Sequence, residues 1–236
     1  MMPAIARPQA ILFDLDDTMW PIAPVIAAAE QRVHAWLAQH APRVAAACTV
    51  EDLRARRLAL LGSDPVFAAD LGALRRAGLE LAFREHGEDC ALLDAAMDEF
   101  HAARNAVTLW PDVLPVLSAL RPHVRLGTLT NGNANLAAIG LDQHFELSLS
   151  AREVGVPKPD PAIFHAACAA LGLAPAEVLY VGDDLLLDVR AAQAAGLRAA
   201  WMRRQGSTAA LAHGVVPDLV CTDFHDLLAW LHTTQA

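Results

Sequence analysis

Asp14 and Asp16 stand two residues apart at the end of a short apolar run, and Asp17 and Thr18 follow directly. Alternate side chains of an extended chain share a face, so the two carboxylates would lie together and repel each other without a cation between them. Carboxylate oxygens with no His or Cys close by suit a hard divalent ion, with Mg2+ the first choice. An acidic turn that caps the next helix is the plainer alternative. A second acidic group, Gly182-Asp183-Asp184-Leu185-Leu186-Leu187-Asp188, follows another apolar run. Asp183 is placed to join the same metal ion, and Asp188, one helical turn on, to join it or to orient a water or a lysine. Asp184 reads more simply as a first-turn residue favoured by the helix dipole.

Thr130-Asn131-Gly132-Asn133 ends a third apolar run and offers a hydroxyl, an amide and backbone N–H groups at the start of an expected helix, which together make an anion seat. An Asn-Gly turn with a helix cap would use the same residues. A fourth segment, Val156-Pro157-Lys158-Pro159-Asp160-Pro161, holds the only lysine among 18 basic residues. An ammonium is compact where a guanidinium is a planar fork. A chain that elsewhere uses Arg and here uses Lys therefore points to a narrow cationic site among carboxylates and phosphate oxygens. The flanking prolines restrict the backbone that presents Lys158.

These four clusters need strands that end at one edge. Short apolar runs at 10–14, 124–130, 178–182, 197–202 and 219–221 alternate with helical patterns at 112–120, 133–139, 161–171, 185–195 and 223–232. That alternation predicts a parallel α/β sheet with both faces covered, and ligands of such sheets bind at the carboxyl ends of the strands. Residues 19–108 break the pattern with Ala/Leu/Arg-rich helical segments at 25–39, 50–61, 65–86 and 90–105. The expected organisation is a Rossmann-like core of residues 1–18 and 109–236 with a helical cap, 19–108, inserted after the first strand. Chain turns near 19–21 and 108–111 would be its hinges.

The motifs D-x-D-D-T, T-N-G, K-P and G-D-D-x-x-x-D, in that order, resemble those of the haloacid dehalogenase-like hydrolases, and the helical insertion resembles their type 1 cap. The resemblance implies a Mg2+-dependent phosphatase with Asp14 as the nucleophile that becomes an aspartyl-phosphate and Asp16 as general acid and base. It further implies a metal held by Asp14, the Asp16 carbonyl and Asp183, with Thr130, the Asn131 and Gly132 backbone and Lys158 on the phosphoryl oxygens. Dehalogenating members of that family resemble the first motif with its second Asp replaced, because a halide leaves without a proton. Asp16 is retained here. Thr130-Asn131-Gly132-Asn133-Ala134, Val181-Gly182-Asp183-Asp184, Pro24-Val25-Ile26 and Glu30 are similar to the bacterial flavin-pathway phosphatases, which implies FMN or 5-amino-6-(5-phosphoribitylamino)uracil as substrate. Trp20-Pro21 and the middle of the cap depart from that pattern. In the cap, Arg75, Arg76, Arg104 and Asn105 are candidates for a substrate's polar tail, and Trp20 for stacking on a planar ring. The alternatives are a phosphomutase of the same family and a receiver-like phosphoacceptor, although receiver domains are about half this length and lack an inserted cap.

Composition narrows the partners. The chain has 236 residues, 55% of them apolar, which is ample for a packed core, and 18 basic against 27 acidic residues give −9. A surface that acidic, with no basic stripe, repels nucleic acid. Four scattered cysteines form no C-x-x-C pair, and no apolar run is long enough to cross a membrane. No secretory leader is legible at the start of the sequence. The expectation is a soluble cytoplasmic enzyme, monomer or homodimer, acting on a small phosphorylated metabolite without nucleic acid or membrane.

Overall fold

The computed structural model describes residues 6–204 and 214–234. The first five residues, on which the reading of the leader partly rests, lie outside them. Among the described residues six strands, β1 Ala10–Phe13, β2 Arg125–Thr130, β3 Leu147–Ser150, β4 Val178–Gly182, β5 Arg198–Met202 and β6 Leu219–Cys221, form one sheet. Its order is β3-β2-β1-β4-β5-β6 and every pairing is parallel. The chain winds outward in one direction from β1 through β2 to β3, then returns to the other side of β1 for β4 to β6. The reversal leaves a crevice at the carboxyl ends of β1 and β4. β1 and β4 are buried at every position, as strands covered on both faces must be.

β3 escaped the sequence reading. Its Leu-Ser-Leu-Ser alternates, it is four residues long and it lies at the sheet edge, so it lacks the continuous apolar signature of its neighbours.

The described parts of Met1–Trp20, Thr108–Gly132 and Gly140–Ala236 form one compact unit, and Pro21–Val107 with Asn133–Ile139 form another. The boundaries lie within two residues of the expected 18/19 and 108/109, but 133–139 joins the helical unit. That unit contains α1 Ile22–His40, α2 Pro42–Ala47, α3 Val50–Ala59, α4 Val66–Ala69, α5 Leu71–Glu85 and α6 Leu93–Arg104. The single helix expected over 65–86 is two, because Asp70 turns its carboxylate onto the Ala73 N–H at 2.9 Å and caps α5. Thr49 and Asp52 form a capping box that starts α3. Ala29, Val33, Leu37, Leu79, Phe83, Met97 and Phe100 form this unit's own core.

In the sheet unit, α7 Val113–Leu120 precedes β2. α8 Leu136–Ile139, in the helical unit, follows β2, and α9 Ala151–Val154, α10 Pro161–Leu171, α11 Ala191–Ala194 and α12 Phe224–Thr233 complete the sheet unit's cover. Asp160 caps α10, with Pro161 in its first turn. Phe13 stacks on Phe224 at 5.3 Å between centroids, and Phe164 meets Tyr180 edge-on at 5.1 Å. Among the described residues no helix is long and apolar enough to cross a membrane.

Candidate active site

β1 ends at Phe13, and the Asp14 N–H donates to the Val181 carbonyl at 2.8 Å, which locks the first acidic residue to the end of β4. The chain then doubles back. Asp17 N–H donates to Trp20 O and Met19 N–H to Leu15 O, both at 2.8 Å, and Asp17 sits in the left-handed region at φ 58°. A non-glycine residue there is strained, and the tight return is what holds it. Trp20 is fully enclosed, and its indole N–H donates to Asp16 Oδ1 at 3.0 Å. The expectation that Trp20 stacks on a substrate ring is therefore corrected: no ring face is open, and its indole serves Asp16 instead.

Lys158 is buried and spans the site. Its Nζ donates to Asp14 Oδ1 at 2.7 Å, Asp188 Oδ1 at 2.6 Å and the Tyr180 hydroxyl at 2.9 Å. Tyr180 Oη in turn lies 2.9 Å from the Leu129 carbonyl and 3.2 Å from Asp188 Oδ1. Asp188 Oδ2 accepts from the Asp184 N–H at 2.9 Å. Both Asp188 oxygens are thus engaged in holding Lys158 and the loop. Asp184 caps a wide helical turn, Leu185–Arg190, accepting from Leu186 and Leu187, which is the simple role the sequence suggested. A methyl group added to Gly182 would stand 2.3 Å from Asp188 Cγ, so only glycine lets this carboxylate reach beneath β4.

Asn131 and Lys158 grip each other's loops. Asn131 Nδ2 donates to the Lys158 carbonyl at 3.0 Å and its Oδ1 accepts from the Lys158 N–H at 2.8 Å. Thr130 Oγ1 accepts from the Gly132 N–H at 2.9 Å. The expected anion seat at the start of a helix over 133–139 needs correction. α8 begins only at Leu136, with Asn135 Oδ1 accepting from Ala138, so hydroxyl and loop amides are present without a helix dipole. Asn-Gly-Asn-Ala-Asn is too rich in turn formers to start a helix sooner.

Asp14, Asp16, Asp17, Thr130, Asn131, Gly132, Lys158, Asp183, Asp184, Leu187 and Asp188 line a cavity of about 180 Å3 at the carboxyl ends of the strands. The four clusters flagged in the sequence are here in one place. Within the helical unit, the Arg75 guanidinium lies 3.5 Å from Glu30 and 3.6 Å above the Phe100 ring. Tyr180 was missed in the sequence because it sits in an apolar strand, and its one signal was being the sole tyrosine in the chain.

Carboxylate oxygens of Asp14, Asp183 and Asp188 come within 4.8 Å of one another. Burial raises the Asp14 carboxyl to about 7, against the pull of Lys158 and with the push of Asp188 and Asp16. Burial likewise raises Asp183 to about 8, helped by Asp14 and Asp188. Burial disfavours the Lys158 charge, but Asp14 and Asp188 outweigh it and hold the ammonium well above its usual range. One ammonium among so many carboxyl groups leaves an excess of negative charge, and all the donors are hard oxygens. The set fits a hard divalent cation such as Mg2+.

Residues 8–196 match the family model for haloacid dehalogenase-like hydrolases. The chain is 32% identical over 203 residues to 5-amino-6-(5-phospho-D-ribitylamino)uracil phosphatase YigB of Escherichia coli (strain K12), covering 84% of this chain and 85% of that protein. It is 32% identical over 210 residues to the glyceraldehyde 3-phosphate phosphatase of Methanopyrus kandleri, covering 83% and 84%. Among solved structures, a 2-haloacid dehalogenase from Pseudomonas syringae pv. Tomato DC3000 superposes with a TM-score of 0.87 at 35% identity, over 94% of this chain and 99% of that one. With its motifs gathered at one sheet edge and this match over most of its length, the chain belongs to the haloacid dehalogenase-like hydrolase family, as a phosphatase.

Proposed function

We propose that the protein hydrolyses the phosphomonoester of a small metabolite in two steps, through a phosphoryl group carried on Asp14. The observation that carries this reading is the Asp14 carboxylate, held at 2.7 Å by Lys158 in a cavity that also presents Asp16 and Thr130. Asp14, Asp183 and the Asp16 carbonyl would hold Mg2+, with Asp188 in reach of the same point. The ion supplies positive charge that keeps the buried carboxylates ionised and offsets the phosphoryl oxygens.

An Asp14 oxygen attacks phosphorus and the ester P–O bond breaks, while Asp16 gives its proton to the departing alcohol. Asp16, now ionised, takes a proton from water; the water oxygen attacks phosphorus and the Asp14–phosphorus bond breaks, which frees inorganic phosphate. Lys158, the Thr130 hydroxyl and the backbone of Asn131 and Gly132 bind phosphoryl oxygens throughout. Asp188 and Tyr180 keep the Lys158 ammonium in place.

5-Amino-6-(5-phosphoribitylamino)uracil leads as substrate, supported by the similarity to YigB, and FMN follows from the resemblance of the motifs to the flavin-pathway phosphatases. The dehalogenase among the similar structures makes carbon–halogen cleavage the second reading. Asp16 weighs against it, because a halide needs no proton.

Phosphate and halide release should be measured on FMN, the uracil compound, glyceraldehyde 3-phosphate, phosphoserine, phosphoglycolate, a nucleoside monophosphate and 2-chloropropionate, with Mg2+ and with EDTA. The expected result is Mg2+-dependent phosphate release, abolished in Asp14→Asn while its circular dichroism still shows the folded protein. An active Asp14→Asn enzyme would overturn the nucleophile. Halide release would favour the dehalogenase, phosphate retained on organic product the mutase, and a long-lived phosphoprotein the receiver-like protein.

A further inference from the structure

The helical unit contains a second charged cluster that the hydrolytic reaction does not use. Glu30 of α1 is buried and faces three guanidinium groups. Arg54 and Arg57 of α3 both donate to it, Arg54 Nε at 3.1 Å and Arg57 Nη2 at 2.8 Å, and Arg75 Nη1 of α5 lies at 3.5 Å. One carboxylate cannot neutralise three cations. Arg57 and Arg75 are also largely withdrawn from solvent, with 14% and 13% of their side chains exposed.

The remaining charge opens onto a small cavity of about 30 Å3 lined by Glu30, Arg54, Arg57, Arg75 and the apolar Val33, Val50, Leu53 and Leu79. Roughly 10–15 Å3 of such space accommodates one water, so this cavity takes one larger monatomic ion or two waters. Apolar walls raise the strength of any charge interaction inside it. The cluster is under electrostatic load: burial, together with repulsion from Arg57, lowers the Arg75 guanidinium to about 9. Gly78 of α5 lies against Arg57, where a Cβ would come within 3.2 Å of the Arg57 Cα, and this close approach brings α3 and α5 together at the site.

We propose that this cavity binds a small monovalent anion of chloride size, seated against the Arg57 and Arg75 guanidinium groups. The ion supplies the charge that Glu30 alone does not, and it joins α3 to α5 where they carry like charges. A cluster that serves only as a structural salt bridge would give the same hydrogen bonds, but it would not respond to the identity of the anion in solution.

The test uses the full chain. Unfolding midpoints are followed with rising sodium chloride against sodium gluconate at matched ionic strength, and crystals are soaked in bromide. Chloride should raise the midpoint saturably where gluconate does not, and bromide should give an anomalous peak in the cavity. Glu30→Gln removes the competing carboxylate and should tighten chloride binding about tenfold, whereas Arg75→Met or Arg57→Met should weaken it about tenfold. A structural salt bridge predicts loss of stability in all three variants with no change in chloride dependence. Superimposed chloride and gluconate titrations, or no bromide in the cavity, would overturn the proposal. The bromide measurement on the wild type decides the matter even if a variant fails to fold.

Discussion

Asp16 has a role only if its proton sits where the leaving alcohol departs, and the Trp20 indole fixes one of its oxygens. Trp20→Phe keeps the buried ring and removes the N–H. Because p-nitrophenolate leaves without a proton and an alkoxide does not, the two substrate classes separate positioning of Asp16 from general damage. In Trp20→Phe, kcat/KM on alkyl phosphates should fall about tenfold, as loss of a hydrogen bond to a charged group implies, with p-nitrophenyl phosphate nearly unchanged. Equal losses on both substrates would mean that the ring only supports the fold. The acidic pair, Thr130 and Lys158 were legible as residues because their types are unusual at strand ends. Trp20 and Tyr180 were not legible in their true roles, since a buried aromatic residue looks the same in sequence whether or not its polar tip is used.

At the scale of elements, five of the six strands among the described residues could be read from mainly apolar runs, most plainly β1 and β4, which are buried at every position. β3 could not, as an edge strand with alternate serines carries too little pattern. Helix ends fared less well. Asp70 and Asn135 act as caps inside segments that read as continuous helix, and a cap is a choice made by the side chain that composition does not reveal. Gly182 shows how an element's end can set a site. Gly182→Ala would drive Asp188 away from Lys158, at a cost of about 1–3 kcal/mol in stability. Activity should drop about 100-fold through displaced charge, as misplacement by an ångström typically does. Thermal unfolding with steady-state kinetics checks both, and a wild-type rate in Gly182→Ala would show that Asp188 does not position Lys158.

For the whole molecule, the active-site carboxyl groups make stability depend on pH in a defined direction. Burial holds Asp14 at about 7 and Asp183 at about 8, well above the unfolded chain. Between the ordinary carboxyl range and those values the folded state binds more protons than the unfolded one, so metal-free stability falls as pH rises. The unfolding midpoint in EDTA should drop between about pH 5 and pH 8. Mg2+ should restore it most at the upper end and release protons on binding, which calorimetry in buffers of different ionisation enthalpy reads directly. Glu30 and Asp112 work oppositely. Burial would raise both, but hydrogen bonds from Arg54 and Arg57 to Glu30, and from the Phe224 N–H and Arg204 to Asp112, hold them below the usual range. Their contribution disappears only below about pH 4, outside that window. A flat profile in EDTA would show that the acidic cluster is already neutralised without metal.

The paired hydrogen bonds between Asn131 and Lys158 also bear on how the protein ages. Asn-Gly is the dipeptide in which a backbone nitrogen most easily attacks the preceding side-chain amide, expelling ammonia through a cyclic imide. Here the attacking nitrogen, on Gly132, is tied to Thr130, and both ends of the Asn131 amide are tied to Lys158. Conversion of Asn131 should therefore be slow in the folded protein and fast once it is unfolded, a difference that mass spectrometry of aged samples reads; equal rates would show that these bonds open freely. The bonds that hold the two loops together also protect the most perishable link in the active site.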